Sequence, residues 1–157
     1  MTLTVSTPTD TDIVMVRAFE APRALGLEAI TRPELLTRWH GARGWNLVSC
    51  EVDLRVGGRW RFVSRGPGGE EMGHGGVYLE VAPPERVVYT ETFDEAWYAG
   101  ECLVTTVLTG DTTMTSTLRY ESRDVRDSVL RSPMERGVTE SLTRLATVLV
   151  ALQGESS

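Results

Sequence analysis

The chain has 157 residues, 41% of them hydrophobic, and a formal net charge of −6. That length can bury roughly 70% of the unfolded surface around one core without staples, and the negative balance repels a phosphate backbone, so nucleic acid is not an expected partner. All 16 basic residues are arginine, which excludes Schiff-base and pyridoxal chemistry and a Walker-type phosphate loop, each of which needs a lysine.

Cys50 and Cys102 sit in strand-like runs with no CxxC and no histidines at ligand spacing, so no metal is expected, and buried thiols in a reducing compartment fit better than a disulfide framework. The start lacks a basic segment followed by an apolar one, and no apolar run is long enough to span a bilayer. The expectation is a soluble cytoplasmic protein with a flexible tail over residues 1–11 and a single domain over 12–153, binding no cofactor.

Residues 12–19 read as a first strand, apolar and β-branched almost throughout. Pro22 opens a short helix running to about Ile30. Thr31-Arg32-Pro33-Glu34 then predicts a capping box, with Thr31 as the cap of a second helix that ends near Trp39-His40-Gly41. From Asn46 the apolar period becomes two and stays so for about seventy-five residues. Val48, Cys50, Val52 and Leu54 alternate with polar residues and are expected to face the core. A turn at Val56-Gly57-Gly58 would set Leu54 opposite Trp60, Val52 opposite Phe62 and Asp53 opposite Arg61. Residues 64–74 read as a long glycine-rich tip. Val77, Leu79 and Val81 then share one strand face, and Val87, Tyr89, Glu91 and Phe93 share another. Residues 94–100 form a loop carrying Trp97 and Tyr98, residues 101–109 and 112–120 a hairpin, and residues 122–131 a short helical turn.

The last helix is the best-marked element. Ser132 at the cap, Pro133 at the first position and Glu135 three residues after the cap form a start signal. Met134, Val138, Leu142, Leu145, Leu149 and Leu152 then make one apolar stripe to about residue 152, on a helix roughly 30 Å long. Six or seven strands at about 4.8 Å spacing are much wider than one helix, so a flat sheet would stay mostly uncovered. The fold class that resolves this is α+β: strand, two helices, six antiparallel strands and a long C-terminal helix packed on a curved sheet.

Phe19-Glu20-Ala21-Pro22-Arg23, Thr31-Arg32-Pro33-Glu34 with Arg38-Trp39, the run from Asp53 to Trp60, the run from Pro83 to Thr90, and Met134-Glu135-Arg136-Gly137 together resemble the SRPBCC, START-like (helix-grip) superfamily. The likeness is nearest to the branch named after the activator of the heat-shock-protein-90 ATPase, and it covers about residues 14–152. It implies a hydrophobic cavity between the curved sheet and the C-terminal helix, and relatives that bind lipids, hormones or antibiotics, cyclise polyketides or assist a chaperone. Only eleven residues precede the module here, where the eukaryotic co-chaperone has a further domain, so a co-chaperone role is not expected.

Trp39, Trp60, Phe62, Tyr89, Phe93, Met134 and Val138 are the candidate lining of such a cavity; the alternative is that they simply fill the core. Glu91, on a face with Tyr89 and Phe93, is either a polar anchor or general acid/base inside the pocket, or, if the parity slips near the strand end, solvated or paired with an arginine. His40 and His74 are read as separate, one beside a helix end and one at the glycine-rich tip. No GxSxG, HExxH or GxGxxG constellation is present, so no catalytic residue is assigned. Arg55, Arg59, Arg61 and Arg65 point away from Trp60 by strand parity and read as a solvated face paired with Asp53 and Glu51. Gly137 either permits close helix-to-sheet contact or widens the pocket. The leading expectation is a protein binding a small, mostly apolar molecule. A cyclase- or aromatase-like enzyme using the same cavity and a chaperone-ATPase-modulating module are the alternatives, and both monomer and homodimer stay open.

Overall fold

A computed structural model describes residues 2–155. Eight strands form one antiparallel sheet: β1 (Thr4–Ser6), β2 (Asp12–Ala18), β3 (Asn46–Val52), β4 (Arg59–Arg65), β5 (Glu71–Ala82), β6 (Arg86–Phe93), β7 (Cys102–Thr109) and β8 (Thr113–Arg119). Their spatial order is β1-β2-β8-β7-β6-β5-β4-β3. Helices α1 (Arg23–Thr31) and α2 (Pro33–Trp39) follow β2, while α3 (Arg123–Arg131) and α4 (Met134–Glu155) follow β8. Among the described residues no helix is long and apolar enough to cross a membrane.

Part of the stretch expected as a flexible tail is therefore built into the sheet: Val5 lies opposite Met15 in β1–β2. The capping box expected at Thr31 does not form. Thr31 ends α1, and its hydroxyl donates back to the Leu27 carbonyl at 2.6 Å, while Arg32 takes the position ahead of Pro33. At the start of α4, Ser132 serves two helices. Its backbone N–H donates to Val129 O and closes α3, and its hydroxyl accepts from Met134 N at 3.3 Å. The helical turn expected over residues 122–131 is a full nine-residue helix, with Ser122 accepting from Val125 N.

The β3–β4 hairpin differs from the expected register by two residues. Val52 faces Trp60, Glu51 faces Arg61 and Cys50 faces Phe62. Residues 53–58 form a longer loop, because Asp53 N donates to Arg59 O and Gly57 N reaches across to Tyr78 O. A shift of two keeps every side chain on its face, but it leaves Leu54 in the exposed loop. A bulge between Leu47 and Ser49 turns Val48 out to solvent and Leu47 in. A second bulge between Tyr78 and Glu80 likewise buries Tyr78 and exposes Leu79. The arginine face is solvated as expected, and Arg55 holds Asp53 as read, but Arg61 chelates Asp94 and Arg65 holds Glu71 rather than Glu51.

The stripe on α4 crosses the concave face of the sheet. Leu142, Leu145, Val148 and Leu149 are buried, and Leu145 and Leu149 are only 2% and 1% exposed. Around them Phe19, Ala21, Leu27, Ala29, Leu36 and Leu108 make a solid core, brought there by the turn after β2, α1, α2 and β7. Arg144 clamps the middle of α4 to the segment after α2, donating to Gly41 O, Trp45 O and Asn46 Oδ1. Gly137 abuts the same segment: a Cβ there would lie 3.7 Å from Ala42, an ordinary contact, so it neither seats the helix on the sheet nor borders the cavity.

Candidate functional site

Beneath the first half of α4 the packing opens into a cavity of about 320 Å3. Its floor is the concave face of the central strands, where residues two apart point the same way. Trp60 and Phe62 rise from β4, His74 and Tyr78 from β5, and Tyr89, Glu91 and Phe93 from β6. Register lines these up in rows: Phe62 beside His74 beside Phe93, and Tyr78 beside Tyr89 beside Val104. Met134, Val138, Ser141 and Leu142 of α4 form the roof, and Trp39 and His40 close one side. All eight residues singled out from the sequence thus border one space. Trp39 has a structural duty as well, its indole N–H donating to Ala29 O at 2.8 Å and tying α2 to α1.

A larger outer pocket continues from this cavity, sharing Met72, Phe93, Trp97 and Met134 with it. Its rim comprises the 66–71 turn region, the 94–97 loop and the α3–α4 junction at Ser132 and Pro133. The two spaces form a mouth and a chamber, with Phe93 and Met134 at the throat.

Glu91 is the chemical centre of the chamber. In the sheet it lies opposite Cys102 of β7, and on its β5 side the row position is Gly76, where backbone packs so closely that a Cβ would run into the Thr90 carbonyl. Desolvation pushes its carboxyl up from 4.5 to about 7. The carboxyl is enclosed on every side by protein, yet keeps part of its surface toward the cavity. No arginine pairs with it among the described residues, so the arginine-paired alternative does not hold. Its charge reaches Tyr89, Tyr98, Cys102 and Tyr120, and burial together with that charge pushes all four above their ordinary range. These are protonated, neutral groups at physiological pH.

The histidines, expected to lie apart at the surface, meet here. β4 and β5 extend further than expected, so the turn is confined to residues 66–70, and His74 lies within β5, 4% exposed, its ring stacked on Phe93 at 4.9 Å. His40 stacks on His74 at 5.8 Å and meets the edge of Phe62 at 5.1 Å. Neither Nδ1 has a hydrogen-bond partner. Burial drives His40 down from 6.5 to about 4, helped by Arg144, and His74 down to about 3, helped by His40. Both imidazoles are neutral. The tell-tale signal was the parity of Tyr78, which carried back through Gly76 reaches His74 on the same face; the surrounding glycines read instead as a loop. Tyr98, Tyr120 and Arg17 were also missed. Tyr98 folds in from its loop, with its ring 5.3 Å from that of Tyr120. Arg17 of β2 reaches the opposite end of the cavity, where its guanidinium donates to Ala18 O and lies 4.6 Å over the Phe19 ring.

The thiols are inert as placed: burial pushes Cys50 up to about 11, and Cys102 higher still. No group of three or more His, Cys, Asp or Glu side chains suited to a metal ion occurs among the described residues.

A curved antiparallel sheet gripping one long C-terminal helix, with space between them, defines a helix-grip protein of the START-like SRPBCC class. A family profile described as "Activator of Hsp90 ATPase homolog 1-like protein" matches residues 20–150, and the chain belongs to that family. A crystal structure of a Rhodobacter sphaeroides protein is 30% identical with a TM-score of 0.88, covering 95% of this chain and 98% of that one. A Chromobacterium violaceum protein is 26% identical with a TM-score of 0.79, over 90% and 98% of the two chains. The AHSA1 protein of Silicibacter pomeroyi shares the fold at 24% identity and a TM-score of 0.75, over 90% and 99%. No curated protein matches the sequence.

Proposed function

We propose that this protein holds a small, mostly apolar molecule in the chamber between α4 and the curved sheet. One observation carries the reading: the core is solid under Leu145 and Leu149 but leaves about 320 Å3 open under Met134 and Val138. That volume lies in the range of small-molecule sites, and its aromatic walls with a few converging polar groups suit one. The proposed ligand contacts are Trp39, Trp60, Phe62, Tyr89, Glu91, Phe93, Met134 and Val138. Native mass spectrometry and ligand-observed NMR against lipid and aromatic libraries test this. Bound species displaced by Val138→Trp support it, and a library with no binder refutes it. With both cysteines free thiols, a reducing cytoplasmic setting suits the protein.

Glu91 favours a second reading, in which the same chamber is a cyclase-like active site. A carboxyl at about 7 exchanges protons readily near neutrality, which is what a general acid/base needs. Turnover unchanged in Glu91→Gln would remove it from that role. The family description also carries a chaperone-ATPase reading, tested directly by the Hsp90 ATPase rate at saturating protein.

A further inference from the structure

We propose that the occupant of the chamber is a small amphiphilic cation, a protonated amine on an apolar or aromatic body, with its ammonium seated at the Glu91 carboxylate among the neighbouring aromatic rings. This rests on the chamber being a ligand site.

Three features converge on it. Inside, Glu91 faces the chamber with no cation beside it, while Tyr89, Tyr98 and Phe93 offer ring faces and edges around it. A carboxylate plus aromatic rings in a partly dry site is the combination that replaces the hydration of an ammonium. Outside, the mouth is acidic: Glu70, Glu71, Asp94 and Glu95 border it against the single guanidinium of Arg61, which already donates to both oxygens of Asp94. Counting Arg65, which holds Glu71 from alongside, carboxylates still outnumber arginines. Such a mouth concentrates cations and repels anions before they reach the throat.

The other titratable groups facing the chamber do not cancel this. Tyr89, Tyr98, Cys102 and Tyr120 surround Glu91 as neutral groups, His40 and His74 are kept neutral by burial, and α4 contributes no titratable side chain to the lining. Arg17 is the one cation. Register sets it beside Met114, whereas Glu91 sits beside Cys102, which pairs across to the Tyr120 end of β8. Six residues of β8 separate those rows, about 20 Å along the strand, with three strand spacings besides. The chamber is thus polarised, negative at the throat and positive at its far end, so the ammonium belongs at the throat and the apolar body inside.

Calorimetric titration of the wild-type protein with phenylbutylamine, the near-isosteric neutral phenylbutanol and the anion phenylbutyrate tests the idea. At about pH 8 the amine should bind at least about tenfold more tightly than the alcohol. That advantage should shrink about tenfold toward pH 6, as Glu91 takes up its proton, while the alcohol's affinity stays constant. Glu91→Gln should abolish the advantage, so that amine and alcohol bind alike; if that variant does not fold, the wild-type pH series decides alone. Equal binding of amine and alcohol, or tightest binding of phenylbutyrate, overturns the cation assignment and leaves the cavity reading intact. If none of the three binds, both fall.

Discussion

Replacing Glu91 with Gln should make the protein more stable at alkaline pH and leave it nearly unchanged in mild acid. The carboxyl titrates at about 7 in the folded chain against 4.5 ordinarily, so between those values the folded state holds a proton that the unfolded state has lost. A raised carboxyl therefore gives its full stabilising contribution below 4.5, and that contribution disappears as pH rises through about 7. The interval, at about 1.4 kcal/mol per pH unit, amounts to about 3 kcal/mol. Water entering the chamber reduces this, and about 2 kcal/mol is the working figure, or a rise of roughly 4–8 °C in Tm for a chain of this size. Urea or thermal unfolding of both proteins, followed by circular dichroism from about pH 4.5 to pH 8.5, measures it directly. The two curves should converge near the acid end and separate as pH climbs through neutrality. A difference that does not vary with pH, or a variant less stable at pH 8.5, would refute the placement of an unpaired carboxyl in this chamber.

His74 should act in the opposite sense. Its depressed imidazole favours the fold above 6.5, and that advantage is lost as pH falls toward about 3. His74→Phe, which keeps the stack on Phe93, should therefore resist acid, gaining about 3 kcal/mol on the wild type between pH 6.5 and about 4 in acid-unfolding curves. Leu145→Ala removes a side chain from the solid half of the core and should cost about 3 kcal/mol in urea unfolding, against about 1 kcal/mol or less for Val138→Ala beside the open chamber. Arg144→Met deletes three hydrogen bonds to the segment after α2 and should cost about 2 kcal/mol. It should also raise the His40 pKa, readable by NMR titration, because a neighbouring positive charge is gone.

Periodicity was sufficient for the outline of this molecule. The stripe on α4, the order of helices and strands, and the inward faces of β4 and β6 depend on residues a few positions apart, so local sequence carries them. The same parity brought Trp60, Phe62, Tyr89, Glu91 and Phe93 to one side. Bulges and pairings are different, because they are settled by a partner strand. Val48 and Leu79 read as members of a continuous face until a bulge beside each turned it outward, and the β3–β4 hairpin slid by two residues because Gly57 and Gly58 bond to Tyr78 of the next strand. Tertiary packing alone decided the chemistry of the site. His40 and His74 are 34 positions apart in sequence, and only the curl of the sheet beneath α4 stacks their rings and removes their water. Glu91 carries the same alternating pattern as any strand carboxylate; its elevated pKa comes from desolvation by what encloses it, Tyr89, Tyr98 and Tyr120 among it. Those neighbours come from β6, the loop after it and the position just past β8, and their convergence is a property of the closed fold.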